Sequence, residues 1–232
     1  MSFRLPPLLL ALLALASPAN AASRNFTVTG FERIRVDGPF RVALKTGVAP
    51  FAKATGSPAA LNGVAIDVQG NTLVVRRNPT AQSAYPGESA GPVEISVGTH
   101  DLNAAWVNGA GSLAIDKAKA QVFDLSVQGP GSISIGRLTA DRLRAGLSGS
   151  GSASVAGTAA VVKAVVRGTS SFDATALNAK DVDVGAEGTA VVRLTATGTA
   201  KVDALGTALV ELSGRPACTT RASGSAVVSG CR

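Results

Sequence analysis

The amino-acid sequence predicts an all-β fold: a single-stranded parallel β-helix, a flattened β-solenoid with coils of about 18–20 residues and two turns per coil. Three observations carry that expectation. A glycine-centred turn recurs as Asn108-Gly109-Ala110-Gly111-Ser112, Gln128-Gly129-Pro130-Gly131-Ser132 and Ser148-Gly149-Ser150-Gly151-Ser152, each 20 residues after the last. It continues at Gly168, Gly188, Gly206 and Gly224 with steps of 19, 20, 18 and 18. A second, looser turn series falls halfway between, at 116–119, 138–141, 157–160, 177–180, 197–200 and 213–216. Between turns the residues alternate apolar and polar, as in Val182, Val184, Ala186, then Ala190, Val192, Leu194 around Gly188. That is the period of a strand, not of a helix. A strand pair this short cannot bury its inner face alone, whereas coils stacked about 4.8 Å apart build a shared core. Parallel β crossovers are nearly always right-handed, so the coil is expected to be right-handed.

In chain order, residues 1–22 read as a secretory signal peptide: Arg4, an apolar stretch from Leu5 to Ala16, then the small-x-small signal Ala19-Asn20-Ala21. That apolar stretch is too short to span a bilayer comfortably, and no second long apolar run follows. Residues 23–104 are expected to form irregular N-terminal coils that cap the open end. Within them, 31–36, 40–44 and 73–76 look like strands, with turns at Asp37-Gly38-Pro39 and Gln69-Gly70-Asn71. Residues 78–91 are polar, bear Pro and Gly and lack periodicity, so they read as a mobile surface loop. Residues 105–232 are the regular repeats, in one continuous domain from 23 to 232. Glycine stands where the chain reverses tightly. The positions two before each turn (Val107, Val127, Leu147, Val166, Ala186, Ala204) are small or medium, as a narrow interior requires.

Composition limits the chemistry. Of 232 residues only 4% are aromatic, with one His and two Cys. A zinc site of ordinary ligand count is out of reach without carboxylates, and no cofactor or metal is implied. Export places Cys218 and Cys231 in an oxidising compartment, where they are expected to pair. Lying six residues before Gly224 and seven after it, they would staple the final coil. Lys+Arg 22 against Asp+Glu 15 leaves a basic excess, but the cations are dispersed and aromatics few, so nucleic acid is not the expected partner. Weak attraction to anionic envelope polymers or lipid head groups is the more economical reading.

Near the start stand Phe31, Ile34, Val36, Gly38-Pro39-Phe40, Val42 and Leu44, followed by the serial G-S-G-like turns. This combination resembles the bacterial GIN-domain family of autotransporter adhesin head domains over nearly the whole chain. The resemblance implies a β-helix of two sheets joined by G-S-G turns, without the catalytic residues of pectin-lyase-like enzymes, and a role in cell-surface adhesion. Only Ser148 to Ser152 shows a complete S-G-S-G-S turn. The sequence runs one residue past Cys231 and shows no stalk or barrel strands, which favours a periplasmic or released protein over a displayed one.

Equivalent positions of successive coils should form columns. Ser112, Ser132, Ser152, Ser171, Val191, Leu209 and Val227 make one; Ala110, Pro130, Ser150, Thr169, Thr189, Thr207 and Ser225 make another. Small hydroxyl residues suit tight turns and bond locally. A polar face for sugars is the sharper alternative, and the Ser-to-Val change in the first column speaks against ice. Outward Arg144, Lys163, Asp183 and Lys201 are mixed in sign, and Asp181 and Asp183 are the closest acidic pair, read as a solvated face. His100 reads as a structural or exposed loop residue. Trp106 alternates outward, where it could stack on a sugar ring or be covered by the 78–91 loop.

Together these readings lead to the expectation of an exported, non-enzymatic β-solenoid acting as a cell-envelope adhesion or binding module, with envelope polysaccharide or another surface polymer as partner. The alternative is a carbohydrate-active protein that binds or cleaves polysaccharide near Trp106 or the Asp181/Asp183 face. The location is expected to be periplasmic, outer-surface associated or secreted.

Overall fold

A computed structural model describes residues 22–81 and 91–232. The leader expected at 1–22 lies outside the described residues except for Ala22, and so does most of the 78–91 loop. The loop begins as a tight turn: Asn78 Oδ1 accepts from the Thr80 N–H and hydroxyl at 3.1 and 2.9 Å.

The chain is nearly all β, a solenoid of about six coils. Its strands are β1 (Ala22–Phe26), β2 (Arg33–Asp37), β3 (Arg41–Thr46), β4 (Phe51–Gly56) and, after the short helix α1 (Pro58–Asn62), β5 (Val64–Gln69), β6 (Thr72–Arg77) and β7 (Glu94–Thr99). Then come β8 (Ala104–Asn108), β9 (Ser112–Ile115), β10 (Ala118–Gln128), β11 (Ser132–Gly149), β12 (Ser152–Gly168) and β13 (Ser171–Gly188). The last are β14 (Val191–Ala196), β15 (Thr199–Gly206), β16 (Leu209–Ser213), β17 (Ala217–Gly224) and β18 (Val227–Ser229).

Every junction between successive coils of the repeat region is parallel. On the side entering the tight turn, Val36, Val107, Val127, Leu147, Val166, Ala186 and Ala204 stand in one inner column. On the side leaving it, Val42, Leu113, Ile133, Ala153, Phe172, Val192 and Val210 form another. All of these are buried. The core is therefore a set of aliphatic ladders, and Phe123 and Phe172 are its two large rings within the repeats.

The tight turns are uniform. Gly109, Gly129, Gly149, Gly168, Gly188, Gly206 and Gly224 all have φ between 77 and 98°. Gly38 in Asp37-Gly38-Pro39 joins them with φ 120°. The looser turn is drawn out. In β11 the buried residues are Ile133, Ile135, Leu138, Ala140, Leu143, Ala145 and Leu147, so alternation slips once at Gly136/Arg137 and again at Asp141/Arg142. Coil length is adjusted here and not at the tight turn. Ile135 pairs with Val155, 20 residues on, whereas Leu138 pairs with Gly157, 19 on. Between Ala174 and Asn178 the next coil drops further residues, pairing them with Leu194 and Thr195.

At the N-terminal end the stacking order departs from chain order. β2 pairs with both β6 and β8, and β3 with both β7 and β9, so the first coil in sequence is the second in space. The excursion from β4 through β5 supplies the cap. β5 runs antiparallel to β6, β4 to β7 and β1 to β4. Ala54, Leu61, Val64 and Ile66 are buried there over the end of the core. Helix α1 starts at Ser57, whose side chain accepts from the Ala60 N–H, with Pro58 in the first turn.

At the other end Cys218 and Cys231 form a disulfide. Cys218 continues the inner column through Val182 and Ala200, so the bond lies where the apolar column runs out. The inner-facing Thr220 and Ala222 of the last coil are exposed.

Candidate functional site

The sheet formed by β2, β8, β10, β15, β17 and the second halves of β11 to β13 presents three outward columns. The middle one, three positions before each turn glycine, reads Arg35, Trp106, Ser126, Gly146, Val165, Gly185, Asp203 and Arg221, so that the short side chains run from Ser126 to Gly185. On one side stand Asp124, Arg144, Lys163, Asp183 and Lys201; on the other Gln128, Ser148, Arg167 and Glu187. Long side chains flank short ones, which leaves a trough along the solenoid axis, with the half-buried Trp106 at its head and Arg35 one rung beyond it, and with Asp203 at the far end. Around Trp106, Asp124, Arg144 and Lys163 it opens into a depression of about 460 Å³. Five rungs at the usual spacing make it about 19 Å long.

Gly146 and Gly185 are informative because the fold does not require glycine at either place. A Cβ there would meet nothing within 4 Å, and neither has a positive φ. Glycine inside a strand costs about 0.5–1 kcal/mol relative to alanine and often marks a close approach by another molecule. These two glycines keep the trough floor clear.

The flanking charges are arranged rung to rung. Asp124 lies 3.9 Å from Arg144, Lys163 3.8 Å from Asp183 and Arg167 2.9 Å from Glu187. Exposed pairs of this kind contribute about 0–1 kcal/mol each, and here they relieve the repulsion that stacked like charges would bring.

Asp181 and Asp183 both face outward on β13, beside a second depression of about 480 Å³ that also involves Thr199 and Lys201. Their carboxylates are engaged. Asp181 Oδ1 accepts from the Thr199 hydroxyl at 2.6 Å and its N–H at 3.0 Å. Those bonds hold its carboxyl below the usual carboxylate range, the hydroxyl contributing most. An acid catalyst needs the opposite shift. Asp181 is the clip that holds the next coil's bend.

The hydroxyl columns take the register expected of them. Ser112, Ser132, Ser152 and Ser171 stack directly, giving way to Val191, Leu209 and Val227. The turn threonines are occupied: Thr169, Thr189 and Thr207 donate to the carbonyls of Gly149, Gly168 and Gly188. His100 is exposed in the bend after β7. Among the described residues no three of His, Cys, Asp and Glu gather at metal-binding distance, and no helix is long and apolar enough to cross a membrane.

Trp106 stood out in the sequence, but its companions Ser126, Gly146, Val165 and Gly185 did not. Reading the column three before each turn glycine finds them.

The fold has solved counterparts. A crystal structure described as a "putative adhesin" from Bacteroides fragilis superposes with TM-score 0.76 at 18% identity, covering 90% of this chain and 94% of that one. One from Parabacteroides merdae, also described as a "putative adhesin", gives 0.69 at 15% identity, covering 93% and 98%. A "Putative lipid binding protein" from Parabacteroides distasonis gives 0.71 at 17% identity, covering 93% and 98%. No curated protein matches the chain. Residues 30–216 match the family described as "Putative auto-transporter adhesin, head GIN domain", and the chain belongs to that family.

Proposed function

We propose that this chain is an exported, non-enzymatic binding module of the cell envelope, and that it takes a polysaccharide along the trough headed by Trp106. The observation that carries this reading is the stretch Ser126, Gly146, Val165, Gly185, whose short side chains lie between two rows of polar and charged groups, with Trp106 and Arg35 at one end and Asp203 at the other. An aromatic face at the head of a straight, open channel suits a sugar ring, and flanking carboxylates, amides and guanidinium groups suit its hydroxyls. Membership of an adhesin family agrees with a binding role at the cell exterior. The engaged state of Asp181 and Asp183 favours binding over cleavage.

The test is a glycan panel probed with the full chain, with product analysis in parallel. Binding that falls at least tenfold in Trp106→Ala, with no new chain ends released, is the expected result. Release of unsaturated or reducing ends that disappears in Asp183→Ala would overturn the non-enzymatic reading. For location, protease treatment of intact cells should degrade a surface-held protein; full protection would exclude surface adhesion.

A further inference from the structure

We infer that a cationic notch at the bend of the first coils binds a compact oxyanion of the phosphate class. It lies away from the trough, where β3 ends, where the chain passes from β7 to β8, and where the coils of β9 to β11 make their looser turn. Lys117, Lys119 and Arg137 line a depression of about 320 Å³ there, together with Thr46, His100 and Asp101.

Three observations point to an anion. First, the seven ion pairs among the described residues use none of these three cations. Along the trough the stacked charges are neutralised by their neighbours; at the notch they are not. Lys119 pairs with Thr139 one rung on, so the three cations come from two successive coils about 4.8 Å apart. Asp101 is the one carboxylate on the lining. Their mutual repulsion is a cost that an arriving oxyanion would remove.

Second, the backbone that carries Lys117 is held on both sides. Thr46 Oγ1 donates to the Lys117 carbonyl at 2.9 Å, and Asp116 Oδ1 accepts the N–H groups of Lys117 at 2.6 Å and Thr46 at 3.0 Å. Asp116 is thereby tied to main-chain amides. Third, the lysine side chain lies against a tight turn: Gly47 has φ 73°, and its Cβ position is within ordinary contact distance, 3.8 Å, of Lys117 Nζ. The notch thus offers two ammonium groups and a planar guanidinium fork on a rigid frame. Arg matches phosphoryl oxygens in pairs, and Lys adds point charge.

Calorimetric titration of the full chain with sodium pyrophosphate, at constant ionic strength set with sodium chloride, tests this. A second arm uses phosphatidylcholine vesicles with and without phosphatidic acid, which distinguishes a free phosphoryl group from one on a lipid. Binding in either arm that weakens at least tenfold in Lys117→Gln/Arg137→Gln and severalfold in Lys119→Gln, but not in Arg167→Gln, is the expected result. All four side chains are exposed, so the variants should keep the parent's circular dichroism. Absence of binding in both arms, or equal binding by the double variant and the parent, overturns the inference.

Discussion

Two glycines three residues apart should respond to the same substitution with opposite sign. Gly149 occupies the tight turn with φ 98°. A Cβ there would lie 3.2 Å from both the Cα and the N of Gly129 in the preceding coil. Side chains rarely adopt that backbone conformation, and the strain alone costs about 1–3 kcal/mol. The neighbour is main chain, held by the Gly129 N–H donating to the Ser148 carbonyl at 3.0 Å, so it yields poorly. Gly149→Ala should therefore cost about 2–4 kcal/mol in total. Gly146 has open space and an ordinary strand conformation, so Gly146→Ala should stabilise by about 0.5–1 kcal/mol. For a domain of this size each kcal/mol moves the melting midpoint by about 2–4 °C. Thermal unfolding followed by circular dichroism should show Gly149→Ala lower by roughly 4–16 °C and Gly146→Ala unchanged or slightly higher. Equal losses at both positions would refute the stacked-turn geometry.

The disulfide, which closes a 13-residue separation, should stabilise the last coil by roughly 3 kcal/mol on the chain-entropy account. Reduction should speed amide exchange in β17 and β18 and leave β11 to β13 protected; uniform loss of protection would contradict a local staple. Ser170 is fully buried with no hydrogen-bond partner for its hydroxyl among the described residues, at the place Ala190 and Ala208 occupy in later coils. Ser170→Ala should be neutral or stabilising by up to about 1 kcal/mol, and a clear loss by chemical denaturation would expose a missed partner. Asp173 Oδ1 accepts from the Thr175 N–H and hydroxyl, and those bonds, the backbone one foremost, lower its pKa from 3.8. A depressed folded value means stability that is present above the ordinary pKa and is lost as pH falls through the folded one. The melting midpoint of Asp173→Asn should accordingly fall less than the parent's between pH 5 and pH 2; an identical fall would remove that role.

The repeat region was legible because one signal, the positive-φ glycine, is forced by local geometry in each coil and sets the register of everything after it. The inner columns and the serine ladder follow by counting from Gly109. The N-terminal arrangement was not legible in the same way. Strands at 31–36 and 40–44 announce themselves by alternation, but nothing in Phe31 to Leu44 says that the coil they form is sandwiched between one made by Leu73 and Ile95 and one made by Ala105 and Leu113. Stack order is a long-range choice, settled by which edges the excursion through β4 and β5 covers. The drawn-out looser turn was blurred for a different reason: small residues such as Ala140, Ala159 and Ala179 are buried there without a strong apolar signal. At the site, Trp106 drew notice by its chemistry, whereas Gly146 and Gly185 matter for what they lack.

The trough is the central functional claim, and filling it is the most direct test. Gly185→Arg places on the floor, at an open strand position, a side chain as long as those of the trough walls, where Val165 on the neighbouring rung is short enough to leave the channel open. Envelope polysaccharide titrated calorimetrically into the full chain and into Gly185→Arg is predicted to bind the parent and to bind the variant at least tenfold more weakly, with the variant melting within a few degrees of the parent. Equal binding by both proteins would contradict the account.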